Sequence, residues 1–140
     1  MRLTVCVRRV QIYEINKGFE GDAARKVYEG MIYPLLKPHQ KVWQVPGLFA
    51  DPRLPRNESE KILLDKIDGF WSWAQNDTKV AGINPWHWET WGSMASTTPE
   101  FQLGAREFPA LKEKLAEIGA AIKAGQGGGY GGRGRKMPRA

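Results

Sequence analysis

The sequence predicts an α/β fold built from three strand–helix units with parallel strands. Short β-branched or apolar runs occur three times, at Val10–Tyr13, Val42–Val45 and Val80–Ile83. Each run is followed by a stretch in which apolar residues recur at helical spacing. Turn-forming and helix-capping residues separate the two kinds of segment. Regular alternation of this sort implies a parallel sheet with helices packed against it.

The first strand lies within Leu3–Ile15, with Val10–Tyr13 as its regular part, because Arg8-Arg9 fits a buried centre poorly. Asn16-Lys17-Gly18 is a turn, and Asp22 is placed to cap a helix that runs to Leu35. Ala24, Val27, Tyr28, Met31, Ile32 and Leu35 form its apolar face, and Pro34 and Pro38 close it. The second strand is Gln40–Pro46, followed by the loop GLFADPRLPR. Asn57 and Glu60 have the spacing of a capping box for a helix that ends near Asn76. Leu63, Ile67, Phe70, Trp71 and Ala74 are its inward stripe, and Trp73 is left for a helix or partner contact. The third strand is Lys79–Asn84, a buried run broken by Asn84-Pro85 because proline has no N–H to donate. A long loop, Thr90–Glu107, leads to a last helix, Phe108–Lys123, with Pro109 in its first turn and Leu111, Leu115, Ile118 and Ile122 facing inward.

The 140 residues suit one domain, 1–124, and 41% hydrophobic with 26% charged side chains is a soluble composition. The net charge of +6 is largely a property of the end of the chain. Arg133, Arg135, Lys136 and Arg139 lie beyond Ala124 with no acid, which leaves 17 basic and 15 acidic side chains before it. The folded part is nearly balanced and does not call for nucleic acid. The tail, 125–140, is a disordered Gly/Arg-rich segment by composition, and Tyr130, Arg133 and Arg135 among glycines give it a faint RNA-binding flavour. One cysteine, Cys6, permits no intrachain disulfide, no run is apolar enough to span a membrane, and Arg8-Arg9 interrupts any signal peptide. A cytoplasmic protein is expected. His39, His87 and Cys6 lack metal-ligand spacing, so neither metal nor cofactor is called for.

In parallel α/β folds the site lies where strands end and loops leave for helices. The residues at those ends are Tyr13, Glu14 and Asn16, then Phe49 and Asp51, then Trp86, His87, Trp88, Glu89 and Trp91. Aromatic and acidic groups thus fall on one rim.

The segments YEI, QKVWQVPGLF and DGFWSWAQNDTKVAGINPWHWETW resemble the closing βα units of glycoside-hydrolase-type TIM barrels. The resemblance covers Val10 to Ala124 and implies a partial (β/α) barrel whose final strand ends in sugar-binding tryptophans. An eight-stranded barrel takes about 250 residues, so it also implies a barrel truncated at its amino end or completed by assembly. The strand Val42–Pro46 stands where a nucleophilic glutamate often follows, and Gln44 is its nearest polar residue.

On this reading Trp86, Trp88 and Trp91, with Tyr13, are candidate sugar-stacking residues; the alternative is that they fill the core. Glu89 and Glu14 are candidate paired carboxylates, for which separations of ~5–5.5 Å give retention and ~6.5–9.5 Å inversion; the alternative is solvated or salt-bridged acids. His87 is a candidate acid/base or, equally, a hydrogen-bonded structural histidine. Asp51 reads as a turn residue, and Gly92-Ser93 as a thin phosphate-binding signal. The expected partners are a carbohydrate ligand or substrate, with a second copy or a complementing chain as the alternative, since three strands leave two open edges.

Overall fold

The computed structural model of the chain describes residues 7–12, 21–90 and 102–125. In chain order these form β1 (Val7–Ile12), α1 (Gly21–Val27), β2 (Lys41–Pro46), β3 (Phe49–Ala50), α2 (Arg56–Asn76), β4 (Val80–Ile83), β5 (Leu103–Gly104) and α3 (Pro109–Lys123). The fold is mixed α/β. One sheet has the order β1-β2-β4 with both pairings parallel. A short antiparallel ribbon joins β3 to β5. Residues 126–140 of the Gly/Arg tail, Tyr13, Glu14, Trp91 and Gly92-Ser93 lie outside the described residues. No described helix is long and apolar enough to cross a membrane.

The strand β1 starts at Val7 and includes Arg8 and Arg9, whose Cα atoms register with Val42 and Trp43 of β2. The pair of arginines does not interrupt the ladder, because parallel pairing is made by the backbone.

One face of the sheet carries the helices. Val42 and Val80 pack in a buried cluster with Ala24, Tyr28 and Tyr33 from the α1 side and Phe70, Trp73 and Ala74 from α2. A second cluster unites α2 and α3 through Leu63, Ile67, Phe108, Leu111 and Ile118, with Leu48, Ala50 and Leu103 from the connecting segments. Trp71 and Ile83 touch both clusters and make the core continuous. Trp43 faces the other side of β2, where its ring comes within 3.0 Å of the place a Cβ on Gly82 would occupy. Glycine on β4 therefore lets that indole lie flat on the sheet.

Three expectations are corrected. Trp73, left for a helix or partner contact, is 2% exposed and belongs to the buried cluster, while Trp71, given to the inward stripe, is only half-buried. Trp73 Nε1–H donates to Asp77 at 3.0 Å, which satisfies the one polar atom of a buried indole. Met31 and Leu35 are exposed by 66% and 61% instead of facing inward. The helix α1 ends at Val27 and widens into a π-helical turn, Tyr28–Ile32, then tightens into a 3-10 turn, Tyr33–Leu35. A five-residue step brings Tyr28 and Tyr33 to the same side, and the 3.6-residue periodicity that pointed Met31 and Leu35 inward is lost. Tyr33 donates to Asp77 at 2.5 Å, and burial together with that carboxylate raises its hydroxyl pKa far above the ordinary value.

The capping box also fails. The helix α2 begins at Arg56 with Pro55 before it, and no side chain caps it. Glu60 instead accepts the Ala110 N–H at 2.7 Å, so it caps the first turn of α3, 50 positions away.

Ile67 is fully buried between α2 and the rest of the second cluster. The substitution Ile67→Ala is expected to lower the unfolding free energy by about 2–5 kcal/mol, through lost burial plus a residual cavity. Urea unfolding checks this as a lower midpoint at unchanged slope.

Candidate functional site

The strands β1, β2 and β4 end at Ile12, Pro46 and Ile83 on one edge of the sheet. Beyond β4 the ladder does not stop at Pro85. Asn84 N–H donates to the Gln44 carbonyl at 2.7 Å, Trp86 N–H donates to the Pro46 carbonyl at 2.9 Å, and Leu48 N–H donates to the Trp86 carbonyl. In a parallel pair alternate residues donate to the same neighbour, and Pro85 falls on the position that does not. Its missing N–H costs the ladder nothing, and Trp86 is fixed against Gly47 in a parallel bridge. Sequence reasoning stopped the ladder one step too early.

The Trp86–His87 peptide is cis. Trp86 and Trp88 are 44% and 50% exposed, and His87 between them is half-buried. Among residues 86–88 the two indoles are thus the more exposed side chains and the imidazole the less exposed one. His87 stacks on Phe49 of β3, with ring centroids 5.4 Å apart and planes 19° apart, and Trp86 meets its edge at 5.7 Å. His87 Nε2 lies 3.4 Å from Gln102 Oε1.

The segment from Gln102 to Glu107, expected as loop, braces this rim from behind. Ala105 N–H donates to the His87 carbonyl at 3.1 Å and Arg106 N–H to the Trp88 carbonyl at 3.2 Å. The Arg106 guanidinium pairs through Nη1 with Glu89 and through Nε with Glu107, the latter at 3.3 Å. Thr90 Oγ1–H donates to Glu107 at 2.8 Å and accepts the Gly104 N–H at 3.3 Å. Arg56 adds a donor to the Glu107 carbonyl at 3.3 Å. The Thr90 hydroxyl first, then Arg106, holds the Glu107 carboxyl below its ordinary range. Gly104 packs so closely that a Cβ there would lie 2.3 Å from the Glu89 carbonyl group.

Glu89 thus reaches the rim as an ion-paired carboxylate, the salt-bridged alternative weighed for it. Its proposed companion Glu14 lies outside the described residues. Asp51 is a turn residue as expected, accepting the Arg53 N–H at 2.9 Å and pairing with the same guanidinium. Gln44 stands two residues from Val42 on β2, the spacing that puts both on one side of a strand. It is fully buried, and neither atom of its amide has a hydrogen-bond partner among the described residues. Among the described residues no three His, Cys, Asp or Glu side chains come together as a metal site.

Lys66 and the 102–107 brace were missed from sequence. Lys66 is 4% exposed on α2 and donates from Nζ to the Gly47 carbonyl at 3.3 Å, fixing the turn that bridges Trp86. A lysine between Leu63 and Ile67 on an inward stripe was the available signal. The brace had none, because β3 and β5 contribute two residues each.

No protein-family model, curated protein or solved structure matches the chain.

Two predictions follow from the brace. Gly104→Ala is expected to lower stability by about 1–3 kcal/mol, since backbone must move to admit the methyl group. Gly119→Ala, on α3 with open space at its Cβ, is expected to raise it by about 0.5–1 kcal/mol; thermal melts of the two variants check the contrast. The pKa of Glu107 is lower folded than its ordinary 4.5, so its contribution is present above that pH and lost as pH falls through the folded value. Acid titration followed by tryptophan fluorescence is expected to show a rim transition below pH 4.5 that Glu107→Gln abolishes.

Proposed function

We propose that the chain is a carbohydrate-binding, hydrolase-like segment of a (β/α) barrel, taking glycans at the carboxyl ends of its parallel strands. The observation that carries this reading is the pair of half-exposed tryptophans, Trp86 and Trp88, held at alternate positions of a braced backbone. Indole rings left in water at a strand mouth gain apolar contact when a sugar ring covers them, and their geometry is set in advance. The His87 ring and the Gln102 amide beside them supply hydrogen-bonding groups of the kind a hydroxylated ligand uses. Helices packed through Val42 and Val80 on one sheet face are compatible with a barrel wall. Glu89, engaged with Arg106, favours binding over hydrolysis.

A second reading has one observation behind it. In the order β1-β2-β4, β1 and β4 are edge strands among the described residues, and such edges pair readily with further strands. A barrel completed by another chain, or by a second copy, would use them.

Titration of the purified chain with a panel of neutral oligosaccharides, read by tryptophan fluorescence, tests the first reading. Saturable quenching is expected, weakened about tenfold by Trp88→Ala, the worth of roughly 1.4 kcal/mol of stacking and contact. Glycan hydrolysis by the wild type that Glu89→Gln abolishes would replace binding by catalysis. Absence of binding to every member of the panel, or binding indifferent to Trp88→Ala, overturns the proposal.

A further inference from the structure

Among the described residues the charges around the rim are matched group by group. The segments that form it, residues 47–56, 84–90 and 102–108, contain three guanidinium groups, Arg53, Arg56 and Arg106, and three carboxylates, Asp51, Glu89 and Glu107. Arg53 donates from Nε to both oxygens of Asp51, at 2.8 and 3.0 Å. Arg56 lies 3.7 Å from Glu107. Arg106 is enclosed on two sides, Nη1 by Glu89 and Nε by Glu107. Lys66, which reaches this region from α2, is buried and donates to Gly47.

Arg106 is the group of interest, because its own N–H is bonded to the Trp88 carbonyl and its side chain is 47% exposed. It is tied to the proposed stacking residue through the backbone, and its Nη1 and Nε edges are both engaged by carboxylates. We infer that Glu89 is a specificity-determining residue: by covering the Nη1 edge of Arg106 it fits the rim to uncharged sugar chains and turns away carboxylated ones. The inference rests on the carbohydrate reading of Trp86 and Trp88 and adds the class of sugar to it.

The physical argument is one of competition. A sugar carboxylate that reaches Arg106 at Nη1 displaces Glu89 or lies against a second negative charge. Either course removes the attraction that a free guanidinium offers a carboxylate. A neutral sugar needs no such displacement, and its hydroxyls accept from or donate to the paired groups as they stand. Glu89 is 64% exposed and contributes no core contact, so replacing its charge alters recognition without opening the core.

The test compares two ligands differing in one group: a cello-oligosaccharide, and the same oligosaccharide with one primary alcohol oxidised to a carboxylate. The wild-type chain is expected to favour the neutral form. In Glu89→Gln the ratio of affinities is expected to move toward the acidic form by about three- to fivefold, the scale of one half-exposed ion pair, and to return toward the wild-type ratio in high salt. Neutral binding with a ratio that Glu89→Gln leaves unmoved overturns this inference alone, as does a wild-type preference for the acidic chain. Failure of both ligands to bind, with the neutral panel also silent, overturns the carbohydrate reading and this inference together.

Discussion

The rim depends on a backbone ladder that continues past a proline. Asn84 and Trp86 both donate to β2, at Gln44 and Pro46, and Pro85 occupies the one position between them where no donor is required. Moving the proline by a single residue would remove a donor and free the chain beyond it. Because the ladder persists, residues 86–88 leave the sheet along a fixed line, and the indoles of Trp86 and Trp88 are presented instead of collapsing onto the core. The buried Lys66 reinforces the same point from the helix side by fixing Gly47, the residue that Trp86 bridges.

A fixed line of departure still needs support where the sheet ends. That support comes from residues 102–107, which touch His87, Trp88, Glu89 and Thr90 in turn. The contacts are of different kinds: main-chain hydrogen bonds at His87 and Trp88, an ion pair at Glu89, a hydroxyl–carboxylate bond at Thr90. Exposed ion pairs are individually weak, so the backbone bonds and the close approach of Gly104 set the geometry, while the charged groups set the electrical character of the surface. Position and charge are thus controlled by the same short segment.

How much of this could be read from sequence follows from the length over which each feature repeats. The helices α2 and α3 and the strands β2 and β4 each carry enough residues for periodicity to emerge, and all were placed within a few residues. The end of α1 was not, because a π-helical turn changes the period within five residues and turns Met31 and Leu35 outward. Trp73 was misassigned for the opposite reason: a helix buried by neighbours on two sides has a wider apolar face than a single stripe, and both Trp71 and Trp73 fall within it. At the rim, Trp86, His87, Trp88 and Glu89 were found because aromatic residues cluster after a strand. The partners that govern them, Arg106, Glu107 and Gly104, lie 14 or more positions onward in elements too short to have a pattern, as the Thr90–Gly104 contact shows.

The bond from Ala110 N–H to Glu60 joins the start of one helix to the second turn of another. A helix normally has its leading amides satisfied by local partners or water; here the partner belongs to another helix, so the bond exists only while α2 and α3 are packed together. The amide proton of Ala110 is therefore a reporter whose solvent exchange registers the separation of α2 from α3 as well as the fraying of its own helix.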